Sequence, residues 1–451
     1  MTEVDAEQRE ASRMTGVLSL VVGLAATIWF AWGLASEPRF VDESAGFSQA
    51  FYADLYLSGR WDDPAWLEYP AVDHPPMQRY LIGMALRVVG ARRPDRAAVW
   101  RWYADTSSRF ETAATLVVAR WPSVLLGALG CVAIFGLGTL ARDRRVGLVA
   151  AALLALNPLY ALHARRAMAD VPAEALILAT VAVGLWSWRA ALAGRSCLRN
   201  RLAAMACAGG LGGLAVLAKL NGALGLMVLG AWGLLAAALP GVPARRKVET
   251  LLGPLLAGAV ALSTFILLNP LLTAQPARPS PAMLPHLADL DLWHRVGAVI
   301  DHRVEVSRTG KAKFAHDALW TPMDQIKAVA VQGFGRFGPF GPRWSDSTRR
   351  FDWKQDWGGL VWGPWVGVGL VWGLAAGRGQ TRDGRPPTAW AVSLYALVAL
   401  ASVTAFIPLA WDRYFLSIQP GAALLAAGGA VAAWEEMVRR ARGHHRKGAG
   451  S

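Results

Sequence analysis

Long apolar runs, about ten of them, constrain the fold of this chain more than any other feature. A helix needs about 20 apolar residues to cross a hydrocarbon core roughly 30 Å thick. Only helices and closed barrels satisfy their backbone hydrogen bonds in lipid. We therefore predict an all-α polytopic membrane protein with about ten transmembrane helices. The runs lie near 14–35, 113–140, 146–162, 172–190, 203–219, 221–240, 250–271, 358–376, 388–410 and 414–435.

The composition is typical of a chain that lies in a lipid bilayer. Charged residues make up 17% of the sequence, whereas soluble chains average about 25%. The 21 tryptophans suit a protein anchored at two water–lipid boundaries. The formal net charge of +14 could indicate nucleic-acid binding or basic cytoplasmic loops. The basic residues cluster between apolar runs, which favours the loops and predicts no nucleic-acid partner.

Short basic segments predict the orientation of the chain. Alternating passage through the membrane from a cytoplasmic N-terminus places every one of them on the cytoplasmic side, as the positive-inside rule requires. Both termini are then cytoplasmic, and the membrane is the plasma membrane. We expect no cleavable signal peptide, because the first run is long and no small-residue cleavage site follows it. The basic segments are 142–145, 189–201, 245–247, 378–385 and 439–447.

This orientation divides the chain into membrane regions and two long outer-face loops. The first loop, 36–112, contains an amphipathic stretch from Pro76 to Val89 that predicts an interfacial helix on the outer leaflet. The second loop is 272–357. The predicted regions are a cytoplasmic N-terminus at 1–13, an N-terminal membrane region at 14–271, the second loop, C-terminal membrane helices at 358–435 and a basic cytoplasmic tail at 436–451.

Two adjacent carboxylates, Asp42 and Glu43, follow the first run. They fit a solvated helix end. They also fit a general base or metal ligand at the membrane boundary, because a carboxylate within hydrogen-bond reach can remove a proton from a hydroxyl.

Asp73 and His74 precede Pro75 and Pro76, where the interfacial helix is predicted to begin. A residue before proline is held extended, and a helix N-terminus attracts anions. The segment is therefore either an anion site or a stiff helix cap.

Arg165, Arg166 and Asp170 lie in a predicted outer turn, against the positive-inside rule. Guanidinium groups suit phosphate oxygens, which favours a functional role over a surface Arg–Asp pair of little energetic value.

Lys219 and the Arg413-Tyr414 pair occupy two more predicted outer turns. Their cations either snorkel toward headgroups or add positive charge to a shared outer-face site.

Acids and bases gathered at one boundary indicate a phosphorylated lipid as substrate. The sequence contains no GxxxxGK[ST] loop and no HExxH motif, and its three cysteines lack metal-ligand spacing.

The order of these features resembles the GT-C class of membrane glycosyltransferases, and most closely the protein O-mannosyltransferases and bacterial aminoarabinose transferases. The resemblance spans about positions 14 to 420 and leaves 272–357 unmatched. It is carried by Asp42-Glu43, His74-Pro75-Pro76 with the YLIGMAL that follows, 165–172, 213–219 and Arg413-Tyr414-Phe415-Leu416 with Pro420.

The resemblance implies a GT-C-like fold and transfer of a sugar from a polyprenyl-phosphate carrier to a hydroxyl acceptor outside the cytoplasm. It implies Asp42 as the catalytic carboxylate, with Glu43 beside it. It places Arg165, Lys219 and Arg413 at the carrier phosphate, with Arg166 or His74 assisting. Asp73, Asp170 and Tyr414 are expected to support the site. No definite cofactor follows from the resemblance, and a divalent metal stays open because relatives differ in metal use.

Two other functions stay open from the sequence. A flippase for a lipid-linked sugar would keep its charges near the bilayer midplane on broken helices, whereas the predicted charges lie at one face. An assembly subunit with a decayed site would not need the retained set of acids and bases.

Overall fold

The computed structural model describes residues 3–194, 196–278, 280–336 and 358–448. Within these ranges the chain consists of helices and connecting turns, with two isolated bridges and no strand. The predicted all-α fold class is confirmed. Part of the predicted second outer loop, 337–357, lies outside the described residues.

The α-helices are numbered in chain order. The shorter helical turns are 3-10 segments at Pro64–Leu67, Leu220–Ala223, Pro270–Leu272 and Asp412–Ile418, and a π-helix at Val329–Arg336. The α-helices are α1 (Glu3–Ala31), α2 (Val41–Ser48), α3 (Phe51–Leu57), α4 (Tyr69–Asp73), α5 (Met77–Val88), α6 (Arg96–Ala104), α7 (Ala113–Ala141), α8 (Arg144–Leu156), α9 (Pro158–Ala164), α10 (Asp170–Ala193), α11 (Leu198–Ala218), α12 (Leu224–Ala238), α13 (Ala244–Leu267), α14 (Pro285–Ala288), α15 (Leu292–Lys313), α16 (Pro322–Ala328), α17 (Gly358–Arg382), α18 (Thr388–Phe406) and α19 (Gln419–Gly448).

Eight helices in the described ranges are long and apolar enough to cross a membrane, or nine if the bent pair α8–α9 is one span. The sequence predicted about ten, and that number is not confirmed. The run predicted at 146–162 is not one straight helix, because it bends by 68° between α8 and α9. Pro158 starts α9, and the Asn157 side chain caps it by accepting hydrogen bonds from Leu159 N and Tyr160 N.

Side-chain contacts distinguish the two ends of the helix bundle. At one end Arg142 pairs with Glu435, Arg246 Nη1 donates to Leu192 O at 2.8 Å, and Gln380 Nε2 donates to Ala141 O at 3.1 Å. The predicted cytoplasmic loops lie at this end. The other end holds the start of α10 and the end of α11, and we call it the site end.

The segments after α1 and after α13 meet at the site end. The fully buried Glu68 carboxylate pairs with Arg96 and accepts a hydrogen bond from Ser280 Oγ at 3.2 Å. Leu284 N donates to Leu67 O at 2.9 Å. These contacts fix the first segment against the second. The stretch predicted as an interfacial helix is helical and forms α5, and its place on the outer leaflet stays a prediction.

Glycines bring α11 close to α13. A Cβ on Gly213 would lie 2.6 Å from Ala261 O, and one on Gly209 would meet Ala257 O. A Cβ on the neighbouring Gly210 would meet nothing within 4 Å. Small residues at one helix face let two backbones approach closely in a membrane, where dispersion contacts drive helix association.

The two adjacent glycines provide a matched test of this packing. Gly209→Ala should lower the free energy of unfolding by about 1–3 kcal/mol, because the new methyl group forces α11 and α13 apart. Gly210→Ala should leave it unchanged or raise it, since alanine favours helix. Thermal unfolding midpoints in detergent measure both, and equal midpoints for the two variants would contradict the packing.

Candidate functional site

A buried ion pair organises the site end. The Glu43 side chain is fully buried, and the guanidinium of Arg120 on α7 binds both of its oxygens, from Nε and Nη2, at 2.8 Å each. Arg120 Nη1 also donates to the carbonyls of Leu34 and Glu37 at 2.9 Å. Buried charges are tolerated when they are paired and hydrogen-bonded in this way.

Glu43 also holds two stretches of backbone. Its carboxylate accepts hydrogen bonds from Phe40 N at 2.9 Å and from Ala167 N at 2.8 Å. The first contact fixes the start of α2, and the second fixes the turn between α9 and α10. The sequence predicted Glu43 as a catalytic residue, and the structure places its carboxylate in the protein interior with both oxygens engaged.

The neighbouring carboxylate, Asp42, faces a different partner. It forms an ion pair with Arg413, and the two side chains are 28% and 21% exposed. The Arg413 guanidinium lies 4.9 Å from the ring centroid of Trp411 and 5.7 Å from that of Tyr414. Asp42 is therefore joined to the turn before α19 and is accessible from one side.

A second ion pair lies close to the first. Lys219 Nζ is 2.6 Å from Asp170 Oδ1, and it lies 5.4 Å from the same Tyr414 ring that Arg413 contacts. Both cations thus lie near the Tyr414 ring. We call Asp42, Asp170, Lys219, Arg413 and Tyr414 the paired-charge cluster. The sequence predicted all five as site residues, and the structure brings them together.

The two predicted arginines of the α9–α10 turn point in different directions. Arg165 donates to the carbonyls of Phe30 at 3.2 Å and Trp29 at 3.0 Å, which anchors the turn to the end of α1. Arg166 lies 4.4 Å from the ring centroid of Phe40. Burial lowers the pKa of Arg166, and the carboxylate of Asp412 opposes that shift. Asp412 therefore links Arg166 to the segment that carries Arg413.

His74 and Asp73 belong to a separate group. His74 Nδ1 lies 2.9 Å from Asp73 Oδ2, His302 Nε2 lies 3.7 Å from Asp73 Oδ1, and the Tyr103 hydroxyl donates to Asp73 at 2.6 Å. Burial acts to raise the pKa of Asp73, but the nearby His302 and His74 side chains and the hydrogen bond from Tyr103 outweigh it and hold the pKa well below its usual range. This group joins α4, α6 and α15.

The sequence reasoning missed three of these partners. Arg120 lies inside an apolar run, and a charge within a membrane helix is a signal of a functional or paired group. Tyr103 and His302 had no such signal, because α6 and α15 lie in the predicted outer loops, where no motif is recognisable. Within the described ranges, no group of three or more His, Cys, Asp or Glu residues is arranged to hold a metal ion.

Comparison with known proteins identifies the fold. Residues 68–240 match the family model for dolichyl-phosphate-mannose-protein mannosyltransferase. ArnT from Cupriavidus metallidurans, solved with undecaprenyl phosphate, is 15% identical with a TM-score of 0.52, over 92% of this chain and 59% of that one. The oligosaccharyltransferase AglB from Archaeoglobus fulgidus, solved with an inhibitory peptide and a dolichol-phosphate, is 13% identical with a TM-score of 0.52, over 95% and 52%.

The chain has the GT-C glycosyltransferase fold. The resemblance predicted from the sequence is confirmed. The chain spans just over half the length of the two solved structures, and no curated protein sequence matches it.

The Glu43–Arg120 pair of this GT-C chain can be tested by removing one charge. Arg120→Met should lower the free energy of unfolding by about 3–5 kcal/mol, because it leaves a buried carboxylate without its partner. Arg440→Met, which removes an exposed pair with Glu436, should leave stability unchanged. Thermal midpoints in detergent compare the two, and a stable Arg120→Met protein would contradict the central role of the pair.

Proposed function

We propose that this chain is a glycosyltransferase that transfers a sugar from a polyprenyl-phosphate carrier to a hydroxyl acceptor. The paired-charge cluster carries the proposal, since it joins a carboxylate with access to substrate to two cations suited to a phosphate. The match to a dolichyl-phosphate-mannose-protein mannosyltransferase family model supports it. The undecaprenyl phosphate bound to ArnT and the dolichol-phosphate bound to AglB support it further. The sugar is a hexose or a pentose.

Lys219 and Arg413 are the proposed carrier-phosphate ligands. An ammonium group has three N–H donors and a guanidinium has five. Lys219 gives one donor to Asp170, and Arg413 gives Nη1 to Asp42. Both cations therefore keep donors for phosphate oxygens while their carboxylate partners hold them in place.

The other predicted phosphate ligands have weaker support. Arg166 is proposed to assist through its charge, which interacts with that of Asp412 in the segment that carries Arg413. Arg165 directs donors to carbonyls of α1, and His74 contacts Asp73. We therefore assign neither Arg165 nor His74 a direct contact with the phosphate.

The proposed reaction is a single displacement. The Asp42 carboxylate takes the proton from the acceptor hydroxyl, whose oxygen attacks the anomeric carbon opposite the phosphate. The bond between that carbon and the phosphate oxygen breaks, and the polyprenyl phosphate leaves. Lys219 and Arg413 stabilise the negative charge that grows on the leaving phosphate, which is the kind of interaction that lowers the barrier. Attack from the opposite side inverts the anomeric configuration.

The site faces the outside of the cytoplasmic membrane in this proposal. The bundle end opposite the paired-charge cluster carries the basic segments 142–145 and 245–247. The positive-inside rule assigns that end to the cytoplasm, together with both termini. A polyprenyl carrier in the outer leaflet then presents its phosphate to Lys219 and Arg413.

Replacement of the proposed base tests this mechanism. Asp42→Asn should reduce transfer by roughly 10²–10⁴-fold, because the amide cannot accept the proton. The assay follows label from polyprenyl-phosphate hexoses and pentoses to membrane acceptors, using detergent-solubilised protein. Binding of undecaprenyl phosphate by the same variant confirms that it is folded.

Asp62→Asn serves as the matched control, because Asp62 is an exposed carboxylate in the segment after α1. It should transfer at the wild-type rate. Full activity of Asp42→Asn would overturn the assignment. Movement of the lipid-linked sugar across vesicles without bond cleavage would instead show a flippase.

A further inference from the structure

A buried carboxyl group lies beneath the paired-charge cluster. Glu174 is four residues after Asp170 on α10, and it is 1% exposed. Its Oε2 accepts a hydrogen bond from Ser417 Oγ at 2.7 Å, and Ser417 Oγ accepts one from Asn221 Nδ2 at 3.4 Å. Within the described ranges Glu174 Oε1 has no hydrogen-bond partner. An ionisable group buried in a membrane helix is costly, and its presence calls for a function.

A second set of contacts joins the same three elements one helical turn further along α10. It consists of Glu174, Ser417 and Asn221. The first set, in the paired-charge cluster, joins Asp170 on α10 to Lys219, with Arg413 beside them. The second set joins the same three elements, because Asn221 follows Lys219 by two residues and Ser417 follows Arg413 by four. The Lys219 ammonium also interacts electrostatically with Glu174.

We propose that Glu174 is a positioning residue for the carrier-phosphate site. It fixes the turn at 219–223 and the turn at 412–418 against α10 through Ser417 and Asn221. The two turns carry Lys219 and Arg413, so Glu174 sets where both cations point. The inference rests on the proposed function, in which these cations bind the phosphate. Binding of the phosphate orders the two cationic side chains and the turns that carry them. Turns that are already fixed have less conformational freedom to lose on binding.

Binding of undecaprenyl phosphate to the full-length protein in detergent measures this role. Glu174→Ala removes the acceptor for Ser417 and should weaken binding about 3- to 10-fold, the range of one ordinary hydrogen bond. Glu174→Gln keeps a carbonyl oxygen for Ser417 and should bind as the wild type does. Rescue by glutamine but not by alanine shows that binding depends on the side chain and its acceptor oxygen and not on a negative charge.

Thr180→Val is the matched control on the same helix. Thr180 is fully buried, and its hydroxyl donates to Leu176 O within α10 at 2.8 Å. This hydrogen bond stays within α10 and away from the two turns, so the substitution should leave binding unchanged. If Glu174→Ala does not fold, Ser417→Ala breaks the same hydrogen bond and should weaken binding in the same range.

A double-mutant cycle shows whether Glu174 acts through Lys219. Lys219→Met alone should weaken binding. Glu174→Ala should weaken binding by a smaller factor in the Lys219→Met protein than in the wild type. Equal effects of Glu174→Ala in both backgrounds, or wild-type binding by Glu174→Ala and Ser417→Ala, would overturn the inference while the proposed function stands. Equal binding by wild type and Lys219→Met would instead overturn the proposed phosphate site itself.

Discussion

The buried pairing of Glu43 with Arg120 determines where the other charges at the site end lie. Arg120 binds both oxygens of Glu43 and two carbonyls of the segment after α1. Glu43 in turn holds Ala167 N, so the turn that precedes Asp170 is fixed to the same point. Asp42 follows from this arrangement, because its neighbour is anchored inward and leaves it to face Arg413.

The membrane setting explains why these charges occur in pairs. An isolated charge is expensive near hydrocarbon, and a partner removes much of that cost. Pairing with Asp170 holds Lys219 in place without using all of its donors. A phosphate can then bind to cations that are already oriented. The same carboxylates keep the cations paired when the carrier leaves, so neither state contains an uncompensated charge.

The features that could be predicted from the sequence are those that depend on local residue patterns. Apolar composition determines which segments form helices, and each predicted run became one or more helices. The positive-inside rule drew attention to the turn at 165–170, and that turn lies at the candidate site. The bend between α8 and α9 had a signal, since the residue before Pro158 is disfavoured in a helix, but the apolar run was taken as continuous.

Contacts between distant parts of the chain were not predictable. The pairing of Asp42 with Arg413 joins residues 371 positions apart, and no spacing rule reports such a contact. Arg120 and Glu174 interrupt apolar runs, but an isolated charge in such a run does not reveal its partner. His302 lies in a segment without a recognisable pattern, so its approach to Asp73 is known from the structure alone.

The position of the phosphate in a structure of the complex with undecaprenyl phosphate tests the central claim most directly. The account predicts phosphate oxygens within hydrogen-bond distance of Lys219 Nζ and the Arg413 guanidinium, with room for the sugar between the phosphate and the Asp42 carboxylate. A phosphate bound at the opposite end of the bundle, beside Arg142 and Arg246, would contradict it.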